Sequence, residues 1–197
     1  CHQGKSAPTS SPPPFGHIGF IIAPQCFSHK LPNATIQRRI LEMAEEINAV
    51  YKDEPLVVVC VLKGAFMFFS DLVRHLTCRP EIDFVRLASY GSGSEGGQTI
   101  SFTKDVEIPL KDKHVLIVED IVDTGHTMDF LMRQFRARGA RSLRLAVLID
   151  KNERREVAVT SHFVGFALPG GFIVGYGLDY AETCRELPAL YEAELEA

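Results

Sequence analysis

The sequence lacks the features that mark several classes of protein. No apolar run approaches the roughly 20 residues that a membrane-spanning helix needs, and the first residues lack the apolar core of a secretory signal peptide. There is no basic excess, because 21 lysines and arginines stand against 25 aspartates and glutamates, for a net charge of −4. Neither nucleic acid nor a membrane is therefore expected as a partner.

Paired cysteines are also missing. The chain has an odd number of scattered cysteines and no CxxC pair; they are Cys1, Cys26, Cys60, Cys78 and Cys184. This spacing argues against a cysteine-ligated metal site and against a dithiol redox motif. Cys60 falls in an apolar strand pattern and is interpreted as a small core residue. The expected setting of such a chain is the reducing cytoplasm.

The composition does provide enough apolar material for one sizeable core. The chain has 197 residues, 46% of them hydrophobic, and this length predicts a single domain. Residues 1–14 are rich in serine, proline and glycine and are predicted to be disordered. Residues 15–197 are predicted to form the domain, and residues 190–197 are expected to be a helical or frayed acidic tail.

The chain is organised around residues 115–128, which read VLIVEDIVDTGHTM. The first four residues have the length and β-branched content of a strand buried on both faces. Glu119 and Asp120 follow, and small residues then lead into a helical pattern. An open α/β sheet binds its ligand at such a place. The carboxylates can hold a divalent cation or sugar hydroxyls, and the loop amides and helix N-terminus can hold a phosphate.

Two other interpretations of this stretch stay open on its residues alone. A strand that ends in Glu-Asp is often only a sheet edge that meets solvent. Response-regulator receivers have a similar apolar run and acid pair, but on their first strand, whereas here 118 residues precede the pair. A receiver would also need a phosphorylatable aspartate on its third strand, and the strand pattern that ends at Ser89 does not supply one.

Other strand patterns also end in residues that can bind a ligand. The pattern of residues 56–62 ends at Lys63 and Gly64, and that of residues 143–149 ends at Asp150 and Lys151. A lysine there can contact a phosphate, and a glycine lets the backbone approach closely, although either lysine can equally be solvated. Helical patterns lie between the strands, the first over residues 36–50 with Asn33 as its predicted N-cap. This alternation predicts a mostly parallel, doubly wound α/β sheet.

A glycine-rich stretch interrupts the pattern at residues 90–99. Four of these ten residues are glycine, and strand patterns lie on either side. The stretch is either a plain linker or a lid that closes during catalysis and keeps water from the reacting centre.

The string Glu-Asp-Ile-Val-Asp-Thr-Gly at residues 119–125 resembles the phosphoribosyl-pyrophosphate motif of type I phosphoribosyltransferases. This version is similar to that of the hypoxanthine-guanine (6-oxopurine) branch. The resemblance continues at Leu62-Lys63-Gly64, Ser89-Tyr90, Lys151 and residues 172–185. It implies the type I phosphoribosyltransferase fold, with a small hood built from an N-terminal arm at residues 15–24 and residues about 160–190. It also implies an unusual cis peptide before Lys63.

The resemblance further implies a role for each matching residue. The proposed general base is Asp123. The groups that bind ribose, its 5′-phosphate and metal are Glu119, Asp120, Thr124, Gly125, His126 and Thr127, with Asp179 at a second metal ion. The pyrophosphate groups are Lys63, Gly64 and Arg185, the purine groups are Lys151, Phe172, Ile173 and Asp179, and Ser89 and Tyr90 open the lid. His126 stands where some relatives have lysine, which matters little if that contact is made by backbone.

The implied reaction joins hypoxanthine or guanine to phosphoribosyl pyrophosphate, with Mg²⁺ as cofactor, and gives a nucleoside 5′-monophosphate and pyrophosphate. Lys151 would donate to O6 of the purine, which selects oxo- over aminopurines because the wrong purine leaves the ammonium unpaired. A homodimer or homotetramer is implied. A second class stays open, namely a non-catalytic relative that binds nucleotides or RNA, although all catalytic positions are filled and no basic patch is evident.

Overall fold

The computed structural model describes residues 27–90 and 99–193. The predicted disordered segment 1–14, the arm at 15–24 and the lid residues 91–98 lie outside this part of the chain. The described elements, in chain order, are β1 (Phe27–Leu31), α1 (Asn33–Tyr51), β2 (Leu56–Leu62), α2 (Phe66–Val73), β3 (Glu81–Tyr90), β4 (Thr99–Lys104), β5 (His114–Val122), α3 (His126–Ala137), β6 (Ser142–Lys151), β7 (Phe163–Leu168), β8 (Ile173–Val174) and β9 (Leu190–Ala193).

Six strands form the central sheet, in the order β4-β3-β2-β5-β6-β7. All neighbouring pairs are parallel except β3 and β4. Helices α1 and α2 pack on one face through residues such as Ile40 and Phe68, and α3 packs on the other through Leu131 and Phe135. Burial on both faces explains why the central strands read as unbroken apolar runs. The predicted mostly parallel, doubly wound α/β fold is confirmed.

A second, three-stranded antiparallel sheet has the order β1-β9-β8. The expectation of a helical or frayed tail is wrong for residues 190–193, because these residues form β9 between two partners. One of those partners, β1, lies about 160 residues earlier in the chain, so no local pattern predicts the pairing. Of the range expected in the hood, Phe163–Leu168 is the edge strand β7 of the large sheet and Ile173–Val174 belongs to the small one.

Two element boundaries differ from the expected ones. Asn33 is the first residue of α1 rather than its N-cap, which is Pro32, and its side-chain Nδ2 donates to the carbonyl of Pro188 at 2.7 Å. Strand β5 continues to Val122, so the acid pair lies inside the strand instead of after it. Pairing with β6 sustains this extension, with Ile121 opposite Ile149 and Val122 opposite Asp150.

Candidate active site

Three predicted site residues emerge at the carboxyl edge of the large sheet. Lys63 follows β2, Asp123 follows β5, and Lys151 is the last residue of β6. These three strands are neighbours and run parallel. Their carboxyl ends therefore meet at one edge, where an open α/β sheet places its ligand.

The Leu62-Lys63 peptide is cis, as the resemblance implied. It opens a tight turn in which Gly64 is enclosed on two sides. A Cβ atom built on Gly64 would lie 1.6 Å from Asp120 Oδ2, and one built on Gly177 would lie 2.1 Å from the carbonyl oxygen of Gly64. Gly177 has a φ of 100°, a conformation that favours glycine. The turn thus joins the acid pair of β5 to the segment that begins at Gly177.

The acid pair has an unusual electrostatic state. Glu119 is only 7% exposed, and this burial raises the pKa of its carboxyl group well above the usual value. The negative charge of Asp120 raises this pKa further, and the backbone amide of Asp120, which donates to Glu119 Oε1 at 3.1 Å, opposes the shift. A buried carboxyl group beside a second carboxylate is harder to ionise than a solvated one.

The loop after β5 has the shape of an anion site. Gly125 has a φ of 93° and stands directly before α3, which begins at His126. The first amides of a helix lack intrahelical partners and attract negative charge. A cavity of about 170 Å³ opens here, lined in part by Asp123, Thr124, Gly125 and Thr127. The His126 ring, by contrast, faces Glu156, with Nε2 2.9 Å from the carboxylate.

Asp123 also borders a second cavity of about 250 Å³. The predicted purine residues Lys151 and Phe172 line the same cavity, together with Glu153, Arg154, Pro169, Gly170 and Gly171. The Asp123 oxygens differ, since Oδ2 lies 3.3 Å from Arg154 Nη1 and Oδ1 is buried without a hydrogen-bond partner among the described residues. Oδ1 is therefore an acceptor whose hydrogen-bonding capacity is unused in the described part of the chain.

The Lys151 ammonium donates to the carbonyl of Gly171 at 2.7 Å. Burial lowers the pKa of this ammonium, and the charge of Asp123 opposes the shift. Phe172 is 38% exposed, and its ring meets that of Tyr180 edge to face with centroids 5.7 Å apart. Ile173 is buried in β8, so its side chain is closed to a ligand.

Asp179 and Arg185 form one ion pair beside the Lys63 turn. Arg185 Nη2 lies 2.7 Å from Asp179 Oδ1, and Nη1 donates to the carbonyl of Gly177 at 2.8 Å. Glu182 accepts from Lys63 Nζ at 2.7 Å and lies 3.4 Å from Arg185 Nη2. The two cations predicted to bind pyrophosphate therefore share one exposed carboxylate.

Of the predicted lid, only the entrance is described. Ser89 and Tyr90 are the last residues of β3 and pair with Ile100 and Thr99 of β4. The lid itself, at residues 91–98, lies outside the described residues and stays a prediction.

Sequence reasoning missed three residues of this region: Glu182, Gly177 and Arg155. Each contacts a predicted site residue, and Arg155 does so from a run of charged residues that looks solvated in the sequence. The only local sign of a turn at Gly177 is a glycine soon after the apolar residues Ile173 and Val174. Nothing in the local sequence distinguishes Arg155 from Arg154.

The donor set suits a hard divalent cation. Glu119, Asp120 and Asp179 offer carboxylate oxygens, and Asp120 Oδ2 occupies the space that a Cβ on Gly64 would fill. Among residues 27–90 and 99–193 no three His, Cys, Asp or Glu side chains converge as a ready-made metal cluster. An ion that keeps several waters and takes the rest of its oxygens from substrate phosphates, as Mg²⁺ does, fits such a site.

In the described part of the chain, every helix is too short or too polar to cross a membrane. The phosphoribosyl transferase domain model matches residues 31–181. The hypoxanthine-guanine phosphoribosyltransferase of Aquifex aeolicus is 42% identical over 165 residues, covering 83% of this chain and 93% of its own length. The hypoxanthine phosphoribosyltransferase of Escherichia coli K12 is 42% identical over 160 residues, covering 80% of this chain and 90% of its own.

Solved structures agree with these matches. A crystal structure of a hypoxanthine-guanine phosphoribosyltransferase from Bacillus anthracis superposes with a TM-score of 0.80 at 38% identity, covering 85% of this chain and 98% of that one. A hypoxanthine phosphoribosyltransferase from Staphylococcus aureus gives 0.81 at 35% identity, covering 85% and 91%. Such matches set aside the receiver interpretation. The chain belongs to the phosphoribosyltransferase family, in its hypoxanthine-guanine branch.

Proposed function

We propose that the chain transfers the 5-phosphoribosyl group from phosphoribosyl pyrophosphate to hypoxanthine or guanine, a step of purine salvage. The products are IMP or GMP and pyrophosphate. The observation that supports this most is the continuity of the site. Asp120, Gly64 and Gly177 are in contact one after another, while Asp123, Lys151 and Phe172 line a single cavity.

In the proposed reaction the bond from the anomeric carbon to pyrophosphate breaks as a purine nitrogen bonds to that carbon. Asp123 accepts the proton from purine N7, and its unpaired Oδ1 supports this role. Lys151 donates to O6, Phe172 stacks on the ring, and the backbone at Ile173 meets the base edge. These contacts hold the purine against the sugar, which supplies much of the rate enhancement in such a transfer.

The remaining residues hold the other half of the donor substrate. Thr124, Gly125, His126 and Thr127 bind the 5′-phosphate, mainly through amides at the start of α3. Lys63, the Gly64 amide and Arg185 bind pyrophosphate. Lys63 and Arg185 both pair with the Glu182 carboxylate in the free protein. Pyrophosphate would therefore displace Glu182 from these two cations when it binds.

Members of this family generally use a metal ion in catalysis, and we propose Mg²⁺ for this chain. Glu119 and Asp120 would hold the water shell of one ion together with the ribose hydroxyls, and Asp179 would serve a second ion. Bound Mg²⁺ neutralises charge on the leaving pyrophosphate. A homodimer or homotetramer and a cytoplasmic location remain predictions, as does the absence of nucleic-acid and membrane partners.

The direct test is to incubate the protein with phosphoribosyl pyrophosphate, Mg²⁺ and guanine, hypoxanthine, xanthine or adenine in parallel, and to measure nucleotide by chromatography. We expect GMP and IMP but no AMP. The yield of nucleotide from xanthine shows how far the site discriminates among substituents at the 2-position of the purine. A protein that binds GMP yet forms no nucleotide from any of the four bases would instead be the non-catalytic relative.

A further inference from the structure

Arg155 is a partly buried cation to which no sequence motif gives a role. It follows β6 in the turn at residues 152–157, and its side chain is 16% exposed. The guanidinium donates to five acceptors: the carbonyls of Asp123 (2.8 Å), Lys151 (3.1 Å), Val122 (3.3 Å) and Val159 (3.3 Å), and the carboxylate of Asp150. A side chain bonded so fully fixes the backbone around it.

Four of these five acceptors belong to the two halves of the site. Val122 and Asp123 lead into the phosphate loop, the segment of residues 123–127. Asp150 and Lys151 end β6, whose last side chain enters the purine cavity. One planar group therefore sets the position of Asp123, the proposed proton acceptor, relative to Lys151, the proposed purine donor.

The backbone next to Arg155 reinforces the link. The amides of Glu156 and Val157 both donate to the carbonyl of Thr124 at 3.0 Å. A Cβ atom on Gly125 would lie 2.4 Å from the Val157 carbonyl oxygen and 3.3 Å from Arg155 Cδ, so the phosphate loop rests directly on this segment. A shift of Arg155 would reach the loop through both contacts.

We propose that Arg155 is a positioning residue that sets the spacing between the phosphate loop and the purine cavity. This inference rests on the proposed function. A purine nucleotide has a base and a 5′-phosphate at a fixed separation, so it gains from both subsites only when they stand at that separation. Arginine suits the role because its donors form a rigid planar fork, whereas lysine presents a single point charge on a flexible stem.

The test compares a linked ligand with its two parts. Dissociation constants for IMP, inosine and ribose 5-phosphate are measured by titration calorimetry or competition on the wild type and on Arg155→Lys, which keeps the charge opposite Asp150. We expect IMP to bind Arg155→Lys roughly tenfold or more weakly, in line with the cost of a small misplacement. Inosine and ribose 5-phosphate should stay within about threefold of wild type, because each needs only one subsite.

Arg138→Lys is the matched control. Arg138 donates to both oxygens of Asp105 at 2.7 Å and lies over Phe102, just beyond the end of α3 that is remote from the phosphate loop. This substitution should lower the melting temperature but leave all three affinities unchanged. If Arg155→Lys is not folded, the double variant Asp150→Asn/Arg155→Gln removes both charges together, so no lone buried charge remains, and the same three ligands are measured.

Equal weakening of all three ligands, or no weakening of IMP, would overturn the inference while the wild type still binds IMP and turns over. The same selective loss in Arg138→Lys would overturn it too, since the effect would then come from general loosening. A wild type that cannot bind IMP would overturn the proposed function, and the inference with it.

Discussion

At the scale of single residues, the two oxygens of Asp123 have different surroundings. Oδ2 lies 3.3 Å from an Arg154 nitrogen, while Oδ1 is buried and has no partner within the described residues. A buried acceptor without a donor is unfavourable by about 1–3 kcal/mol. An unsatisfied acceptor can be retained where a ligand supplies the missing hydrogen-bond donor. In the proposed site, the N7–H group of the purine would be that donor.

We therefore expect Asp123→Asn to lower kcat by roughly 10²–10⁴-fold, the range for loss of a general base, because an amide cannot accept the proton. Binding of phosphoribosyl pyrophosphate should change little, as measured by calorimetry. Asp53→Asn, on the exposed turn after α1, is the control and should retain full turnover. Equal kcat in Asp123→Asn at neutral pH would remove Asp123 from the mechanism.

Lys151 is the residue proposed to govern the choice of purine. Its ammonium already has one acceptor, the Gly171 carbonyl at 2.7 Å, and two further N–H groups remain for a ligand. Lys151→Ala should therefore reduce the preference for hypoxanthine over adenine, measured as a ratio of kcat/KM values, by roughly tenfold or more. Lys52→Ala, at the exposed end of α1, should preserve the ratio, and an unchanged ratio in Lys151→Ala would contradict the assigned contact.

Glu119 makes stability depend on pH. Its pKa is raised in the folded protein by burial and by Asp120, so the folded state holds a proton that the unfolded state releases more readily. The resulting stabilisation is complete below the unfolded pKa and is lost as pH rises through the folded one. Glu119→Gln mimics the protonated form at every pH.

We thus expect Glu119→Gln to melt at a higher temperature than the wild type at pH 8, with the difference shrinking as the pH falls toward 4. Each kcal/mol corresponds to roughly 2–4 °C for a chain of this size. Glu45→Gln, on the exposed face of α1, should follow the wild-type curve at each pH. A Glu119→Gln curve parallel to wild type would show that the folded state does not hold the extra proton.

At the scale of elements, the site depends on a contact between two turns. Gly177 stands against the carbonyl of Gly64 so closely that a Cβ would lie 2.1 Å from it, and its φ of 100° disfavours other residues. Because backbone rather than a side-chain tip blocks the space, the turn itself must move. Arg185 would move with it, since it donates to the Gly177 carbonyl.

Gly177→Ala should therefore raise KM for phosphoribosyl pyrophosphate at least about tenfold, beyond a loss of stability of about 1–3 kcal/mol from the backbone strain. Gly139→Ala separates the two effects. Gly139 also has a positive φ, 79°, but its nearest neighbour would be 3.5 Å from the new Cβ. Gly139→Ala should lose stability but keep the wild-type KM. A similar KM for Gly139→Ala and Gly177→Ala would contradict a role of the Gly177–Gly64 contact in substrate binding.

The elements differ in how far the sequence predicts them. Strands β2, β5 and β6 are buried on both faces, so their composition alone reveals them, and the ends of β2 and β6 mark Lys63 and Lys151 as candidates. The apolar pattern of β5 stops at Val118, so Asp123 is reached only through the resemblance of residues 119–125 to a family motif. Strand β9 is held by a distant partner, and Arg155 by acceptors on three segments. Local patterns do not contain such long-range partners, so they predict neither the strand at residues 190–193 nor the contacts of Arg155.

At the scale of the whole molecule, the site joins the two sheets. Lys151, at the end of β6 in the large sheet, donates to Gly171 just before β8 of the small one, and Lys63 after β2 pairs with Glu182 between β8 and β9. These links are hydrogen bonds and ion pairs of protein groups. We therefore expect folding to need no metal, whereas the proposed transfer would use one.

This difference gives the last prediction. Chelation with EDTA should shift the melting temperature of the free protein by no more than about 1 °C, because no converging metal cluster exists within residues 27–90 and 99–193. With phosphoribosyl pyrophosphate at about 100 times its Kd, Mg²⁺ should raise the melting temperature by roughly 5–10 °C, and EDTA should reverse this rise and stop turnover. Potassium chloride at matched ionic strength is the control. A large fall on chelating the free protein would instead mean that an ion holds the fold together, and the carboxylates of β5 and residue 179 would then need a structural assignment.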